Sequence, residues 1–122
     1  MKEASFYSCV EEFLKSDALG CFRTGKRVGT SFVGIADVVG VRDVGGDVRG
    51  DIEVIAVEVK MTPSNFGKIL GQALGYSLFA HKCYLAVPFS DDEAFSIEQK
   101  ELATRLGVGL LEIRKSYDIW RC

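Results

Sequence analysis

The chain is poor in the residues that build zinc sites and disulfide frameworks. It has one histidine, His81, and its four cysteines, Cys9, Cys21, Cys83 and Cys122, are scattered without a Cys-x-x-Cys pair. That spacing argues against a zinc site and leaves the thiols to pack, reduced, as small hydrophobes. Proline is scarce too: Pro63 and Pro88 are the only two, both at expected strand ends, and no proline- or serine-rich linker divides the 122 residues. One domain over 1–122 is expected. No apolar run approaches the roughly 18 to 20 residues that cross a bilayer, and the opening "MKEASFYSCVEEFLK" alternates charges with apolar residues in place of a signal-peptide core. The expectation is a cytoplasmic protein without a membrane partner. Excess positive charge is also missing. A net charge of -2 argues against coating nucleic acid by bulk charge, although Arg23, Lys26 and Arg27 cluster in "CFRTGKRVG", and Lys60, Lys68 and Lys82 are candidates to flank a single cleft.

What is present is alternating periodicity. Phe6, Cys9, Val10, Phe13 and Leu14 recur at helical spacing within Lys2 to Ser16, with Gly20 just beyond. "CFRTGKRVG" suits a short strand and a turn. "FVGIADVVGVRDVGG" and "DIEVIAVEVKM" read as two strands joined by a Gly-Gly-Asp turn, hence a hairpin. "TPSNFGKILGQALGYSLFAHK" switches to helical period, with Pro63 and Ser64 as start signals and Phe66, Ile69, Leu70, Ala73, Leu74 and Leu78 on one apolar face. Gly67, Gly71 and Gly75 form a small-residue stripe that suggests tight packing on a sheet. "CYLAVPF" reads as a strand, "DDEAFSIEQKELATRLG" as a helix and "VGLLEIR" as a last strand. The order α-β-β-β-α-β-α-β implies a layered α/β domain: a mixed central sheet flanked by helices, its later strands parallel.

Two charges stand out in the apolar strand "VIAVEVKMT". Glu58 and Lys60 project from one face, separated by roughly 7 Å at strand rise. Asp37, in "GIADVVGV", interrupts the apolar run of the strand before it. In an antiparallel hairpin the start of one strand lies beside the end of the next, so Asp37 and Glu58 converge. Two carboxylates that close repel unless a cation lies between them. A hard divalent ion such as Mg²⁺ takes one or two carboxylates and fills its remaining sites with water and phosphate. Glu58 and Lys60 by themselves also fit a surface ion pair on a half-exposed strand, with Asp37 as a strand-start residue.

In these residues the chain resembles the PD-(D/E)XK, or restriction-endonuclease-like, nuclease superfamily. Asp37 in "IAD" takes the first motif position, and Glu58-Val59-Lys60 matches the (D/E)XK element, with residues 38 to 57 between. Ala36 stands where the motif has proline. "QALGY", with Gln72 and Tyr76 four apart on one helical face, is similar to the Gln-x-x-x-Tyr element of RecB-like nucleases. The first helix is similar to the opening helix of Holliday-junction resolvases and Mrr-like nucleases, whose early glutamate aligns with Glu3; Glu11 and Glu12 fall on a solvated face.

The resemblance implies a restriction-endonuclease-like fold and a metal-dependent nuclease, an endonuclease of resolvase-like or Mrr-like type acting on DNA, with RNA not excluded. Asp37, Glu58, the main-chain carbonyl of Val59 and Glu3 would hold Mg²⁺, with Mn²⁺ as a substitute. Lys60 and Gln72 would join Asp37 and Glu58 in catalysis, and Arg23, Lys26, Arg27, Lys68 and Tyr76 would contact nucleic acid. Homodimers are common in that superfamily, and one is expected here. Two rival readings are a non-catalytic nucleic-acid-binding or assembly subunit that kept the fold, and a small α/β ligand-binding domain. His81 reads as a favourable charge at a helix C-terminus. Tyr117 and Trp120 read as a terminal segment folded back on the domain, a dimer contact or a base-stacking pair.

Overall fold

In the computed structural model the described residues are 2–30, 34–45, 51–116 and 119–121, with the side chains of 30, 116 and 119–121 excepted. A 3-10 turn, Glu3–Phe6, leads into helix α1, Tyr7–Lys15. Strands β1 (Arg23–Thr30), β2 (Gly34–Asp43) and β3 (Ile52–Val59) follow, then helix α2 (Phe66–Gly75) with a 3-10 turn over Tyr76–Leu78. Strand β4 (Lys82–Pro88), helix α3 (Ile97–Leu106), strand β5 (Val108–Ser116) and strand β6 (Ile119–Arg121) complete the chain.

The strands lie in sequence order across the sheet. β1 with β2 and β2 with β3 are antiparallel, whereas β3 with β4 and β4 with β5 are parallel. α2 and α3 are the crossovers that parallel neighbours require. The result is an α/β domain with a mixed sheet of five strands, β1 to β5, flanked by helices, and the short β6 extends it beside β5. The order differs from the expected one at the end: "VGLLEIR" is not the last strand. β5 pairs with β4 through its first part and with antiparallel β6 through Arg114, Lys115 and Ser116. Trp120 lies opposite Lys115, so the terminal segment does fold back on the domain, while Tyr117 falls outside the described residues.

Burial divides the helices between the faces. Phe6, Val10 and Leu14 of the first helical segment pack against Val38, Ile55, Val57 and Val59. On the other face Ile69, Leu70 and Ala73 of α2 and Ala103 of α3 pack against Leu85, Val87 and Val108. Alternation along β3 accounts for this: Ile55, Val57 and Val59 point to α1, and Ala56 points to the α2 side. Ser96 caps α3 in a reciprocal capping box with Gln99, and Gly107 closes it at φ 73, a left-handed conformation that suits glycine.

Helix α2 departs from its expected shape. It starts at Phe66, after Asn65 in the left-handed region, and not at Pro63 or Ser64. The glycine stripe does not pack: a Cβ on Gly67, Gly71 or Gly75 would meet no atom within 4 Å. Packing is left to the Ile69, Leu70 and Ala73 side. The helix tightens to a 3-10 turn at Tyr76, which rotates Leu78 out of the apolar face and leaves it 74% exposed. The three buried cysteines, Cys9, Cys21 and Cys83, pack in the core, the Cys9 thiol donating to the Phe6 carbonyl at 3.0 Å, and burial pushes the thiols of Cys21 and Cys83 up. Cys122 lies outside the described residues.

Candidate active site

The ladder between β2 and β3 runs from Asp43 opposite Ile52 to Val38 opposite Val57. The next level belongs to Asp37 and Glu58, the only buried charged residues among the described ones, at 8% and 7% exposure. Here a side chain takes over from the backbone: the Val59 N–H donates to Oδ2 of Asp37 at 2.8 Å. The strand ends thus bring the two carboxylates together, as the antiparallel register predicts.

A tyrosine hydroxyl secures each carboxylate. Tyr7, from α1, donates to Oδ1 of Asp37 at 2.8 Å. Tyr76, from the turn after α2, places its hydroxyl against Oε2 of Glu58 and 3.2 Å from the carbonyl oxygen of Ile35. The pair therefore lies between elements from both faces of the sheet. Burial is the main reason that the Glu58 carboxyl is pushed up to about 7; the adjacent Asp37 adds to the rise, while the Tyr76 hydroxyl and the Lys60 ammonium oppose it. Burial, then Asp37, push the Tyr7 phenol up to about 12, and the Arg27 guanidinium beside its hydroxyl pulls the other way. Tyr76 is likewise raised, by burial first and by Glu58 next, so both phenols stay protonated donors at neutral pH.

Strand β1 is irregular at the same level. Lys26 pairs with Val38 and Val28 with Ala36, which places Arg27 beside Asp37 in the register. Arg27 has φ 53, a left-handed conformation that costs a non-glycine residue on the order of 1 kcal/mol. On β2, Ala36 and Val39 pack in one cluster and Val38 in another, so strict alternation fails around Asp37 as well. Lys60 follows β3 directly. It is half-buried, its N–H donates to the Ala86 carbonyl at 3.0 Å, and its ammonium lies close enough to stabilise the Glu58 carboxylate.

The other expected residues separate into those near the pair and those elsewhere. Tyr76 is buried, with its hydroxyl on Glu58, so it holds a carboxylate and offers no face to a base. Gln72, one turn earlier, is exposed. Glu3 does not join the pair: among the described residues no third Asp, Glu, His or Cys gathers with Asp37 and Glu58. The residue of that helical segment that reaches Asp37 is Tyr7, one turn further on. Its signal in the sequence was a tyrosine beside the apolar stripe, a position that buries a ring and leaves its hydroxyl needing an acceptor.

The basic cluster also divides. Arg23 pairs with Val41, four residues along β1 from Arg27. Lys26 donates to Ser8 Oγ at 3.3 Å and lies 3.5 Å from Glu11, which accepts from Thr24 at 2.7 Å; Glu11 is therefore partly buried and ties α1 to β1 instead of lying on a solvated face. Lys68 is exposed on α2. Lys82 stands opposite Ile55, three residues before the level of Glu58, and lies 4.0 Å from Glu53, so it does not flank this site. His81 is no helix-end charge. It extends the sheet, donating its N–H to the Val54 carbonyl at 2.8 Å while its Nδ1 accepts the Val54 N–H at 2.9 Å.

The donor chemistry suits a hard divalent cation. Two buried carboxyl groups at adjacent strand ends cannot both ionise at low cost, a repulsion that adds to the rise burial gives Glu58, and a cation between them removes it. Two protein carboxylates, with water and substrate completing the shell, is a set that Mg²⁺ accepts. The chain matches no protein-family model, no curated protein and no solved structure.

Proposed function

We propose that this chain is a divalent-metal-dependent nuclease that hydrolyses phosphodiester bonds in DNA, an endonuclease of the resolvase-like or Mrr-like type within the PD-(D/E)XK superfamily. The observation that carries the reading is the meeting of Asp37 and Glu58 at the ends of adjacent strands, buried, with Lys60 two residues beyond. The surrounding α/β layering supports it. So does the tyrosine of "QALGY", whose hydroxyl is on Glu58.

Asp37, Glu58 and the main-chain carbonyl of Val59 are the oxygen donors that would hold Mg²⁺ or Mn²⁺. When bound, the ion supplies Lewis-acid polarisation of the phosphate and a more acidic water. The protein's own residues do the rest. Asp37, held by Tyr7 at one oxygen and by the Val59 N–H at the other, presents its carboxyl group in one fixed orientation. Glu58 leaves its neutral form as positive charge enters the site, and Tyr76 keeps its carboxylate oriented in either state. Lys60 offsets charge that builds on the phosphoryl oxygens and orients the attacking water.

The test is incubation with linear, supercoiled, single-stranded and branched DNA in Mg²⁺ or Mn²⁺, beside a Lys60→Ala control. Cleavage that requires metal and falls by two or more orders of magnitude in the control supports the reading, on the scale expected for a lost charge-stabilising group. Cleavage that persists in Lys60→Ala belongs to another site or a contaminant, and no cleavage of any substrate refutes the enzyme.

A further inference from the structure

We infer that Arg27 is the anion anchor of this site: it stands opposite Asp37 in the β1–β2 register, exposed and in a left-handed conformation, and its guanidinium takes the non-bridging oxygens of a phosphodiester there. The inference rests on the nuclease reading and names the residue that binds the substrate phosphate.

Neighbouring residues of a regular strand project to opposite faces. Lys26 and Arg27 break that rule. Lys26 reaches Ser8 and Glu11 on α1, and Arg27 stands beside the hydroxyl of Tyr7, on the same helix. The φ of 53 at Arg27 accounts for the shared side, because it interrupts the alternation at that one residue. Glycine would adopt this conformation without strain, and Gly25 and Gly29 flank the position. The fold nevertheless holds a long cationic side chain there, at the level of Asp37. Non-glycine residues held in such conformations cluster at ligand clamps and active sites.

The chemistry agrees. A phosphodiester approaching two carboxylates is repelled, and Lys60 offers only a point charge. An arginine fork matches phosphate geometry with two parallel hydrogen bonds. Arg27 is exposed, so its fork is open to an incoming group, whereas Lys26 is engaged with Glu11 and Arg23 lies about 13 Å along the strand at 3.3 Å per residue. Tyr7 gives its hydroxyl proton to Asp37, and the Arg27 guanidinium acts on that same phenol, so the cation and the Asp37 carboxyl meet at one hydroxyl.

The experiment measures fluorescence anisotropy of dye-labelled duplex and single-stranded oligonucleotides with Ca²⁺ as the divalent ion, together with thermal melts and ³¹P line broadening of inorganic phosphate. The proteins are wild type, Arg27→Gly, Arg27→Lys and Lys26→Ala. Arg27→Gly is expected to weaken oligonucleotide binding by roughly tenfold or more, as loss of a bidentate charged contact should. Its melting temperature should equal or exceed that of wild type, since glycine relieves the backbone. Arg27→Lys should recover part of the affinity, and Lys26→Ala should stay within about twofold of wild type. Unchanged binding by Arg27→Gly overturns the inference, as does a lower melting temperature, which would make Arg27 a structural strut. If wild type binds phosphate through Arg27 but no oligonucleotide, the nuclease reading fails and the anchor stands. If it binds neither, both fail.

Discussion

Asp37 accepts the main-chain N–H of Val59 at 2.8 Å, so the side chain of one strand occupies the hydrogen-bonding place that the neighbouring strand's backbone has left. The contact does two things. It satisfies a buried amide where the β2 and β3 backbones part, and it fixes one carboxylate oxygen while Tyr7 fixes the other.

That dual role separates two substitutions. Asp37→Ala leaves the Val59 amide and the Tyr7 hydroxyl without acceptors and should destabilise the protein by about 2–4 kcal/mol. Asp37→Asn keeps an acceptor for Val59, and the Tyr7 hydroxyl can turn to accept from the new amide. Its loss should be about 1 kcal/mol or less, although both variants should be inactive. Chemical denaturation of the two would decide this, and equal losses would show that Asp37 is not the acceptor described.

Glu58 makes stability depend on pH in a definite direction. Its folded-state carboxyl is pushed up to about 7 against 4.5 for an exposed glutamate of the unfolded chain, so the folded form binds more protons between those values. Stability is full below 4.5 and declines as pH rises through 7, by about 3 kcal/mol at most. Glu58→Gln removes that decline. The variant should melt several degrees above wild type at pH 8, at about 3–6 °C per kcal/mol, and close to it at pH 5. A variant that melts below wild type at pH 8 would contradict the burial argument.

Tyr76→Phe deletes the hydroxyl that favours the charged form of Glu58. Glu58 should then hold its proton to higher pH, and the acidic limb of the pH–activity profile should move up by about one unit. A profile unmoved on its acidic side would mean that Tyr76 does not tune this carboxyl.

The open side of α2 gives a prediction independent of the chemistry. Because a Cβ at Gly71 meets nothing within 4 Å, Gly71→Ala should stabilise the protein by about 0.5–1 kcal/mol through helix propensity. Destabilisation would restore the close-packing explanation of the glycine stripe.

Strong periodicity makes the β2–β3 hairpin legible from the residues alone. The hairpin register alone pairs Asp37 with Glu58, because the turn and alternation of β2 and β3 leave little freedom in which residues meet. The glycine stripe points the wrong way because spacing reveals a face but not which face packs, and the larger Ile69 and Leu70 take the sheet side. Alignment of apolar positions points to Glu3, yet the 3-10 start of the first helix and the hydroxyl of buried Tyr7 favour the residue one turn on. The left-handed φ of Arg27 has no signature in an Arg-Val-Gly stretch, since tertiary context imposes it against the residue's own preference.

Calorimetric titration of wild type and Asp37→Asn with Mn²⁺ and Mg²⁺ at pH 8, with melting curves confirming that both proteins are folded, tests the central claim most directly. The account predicts one saturable divalent-ion event in wild type that disappears in Asp37→Asn. Identical heats in the two proteins, or no binding to wild type, would contradict it.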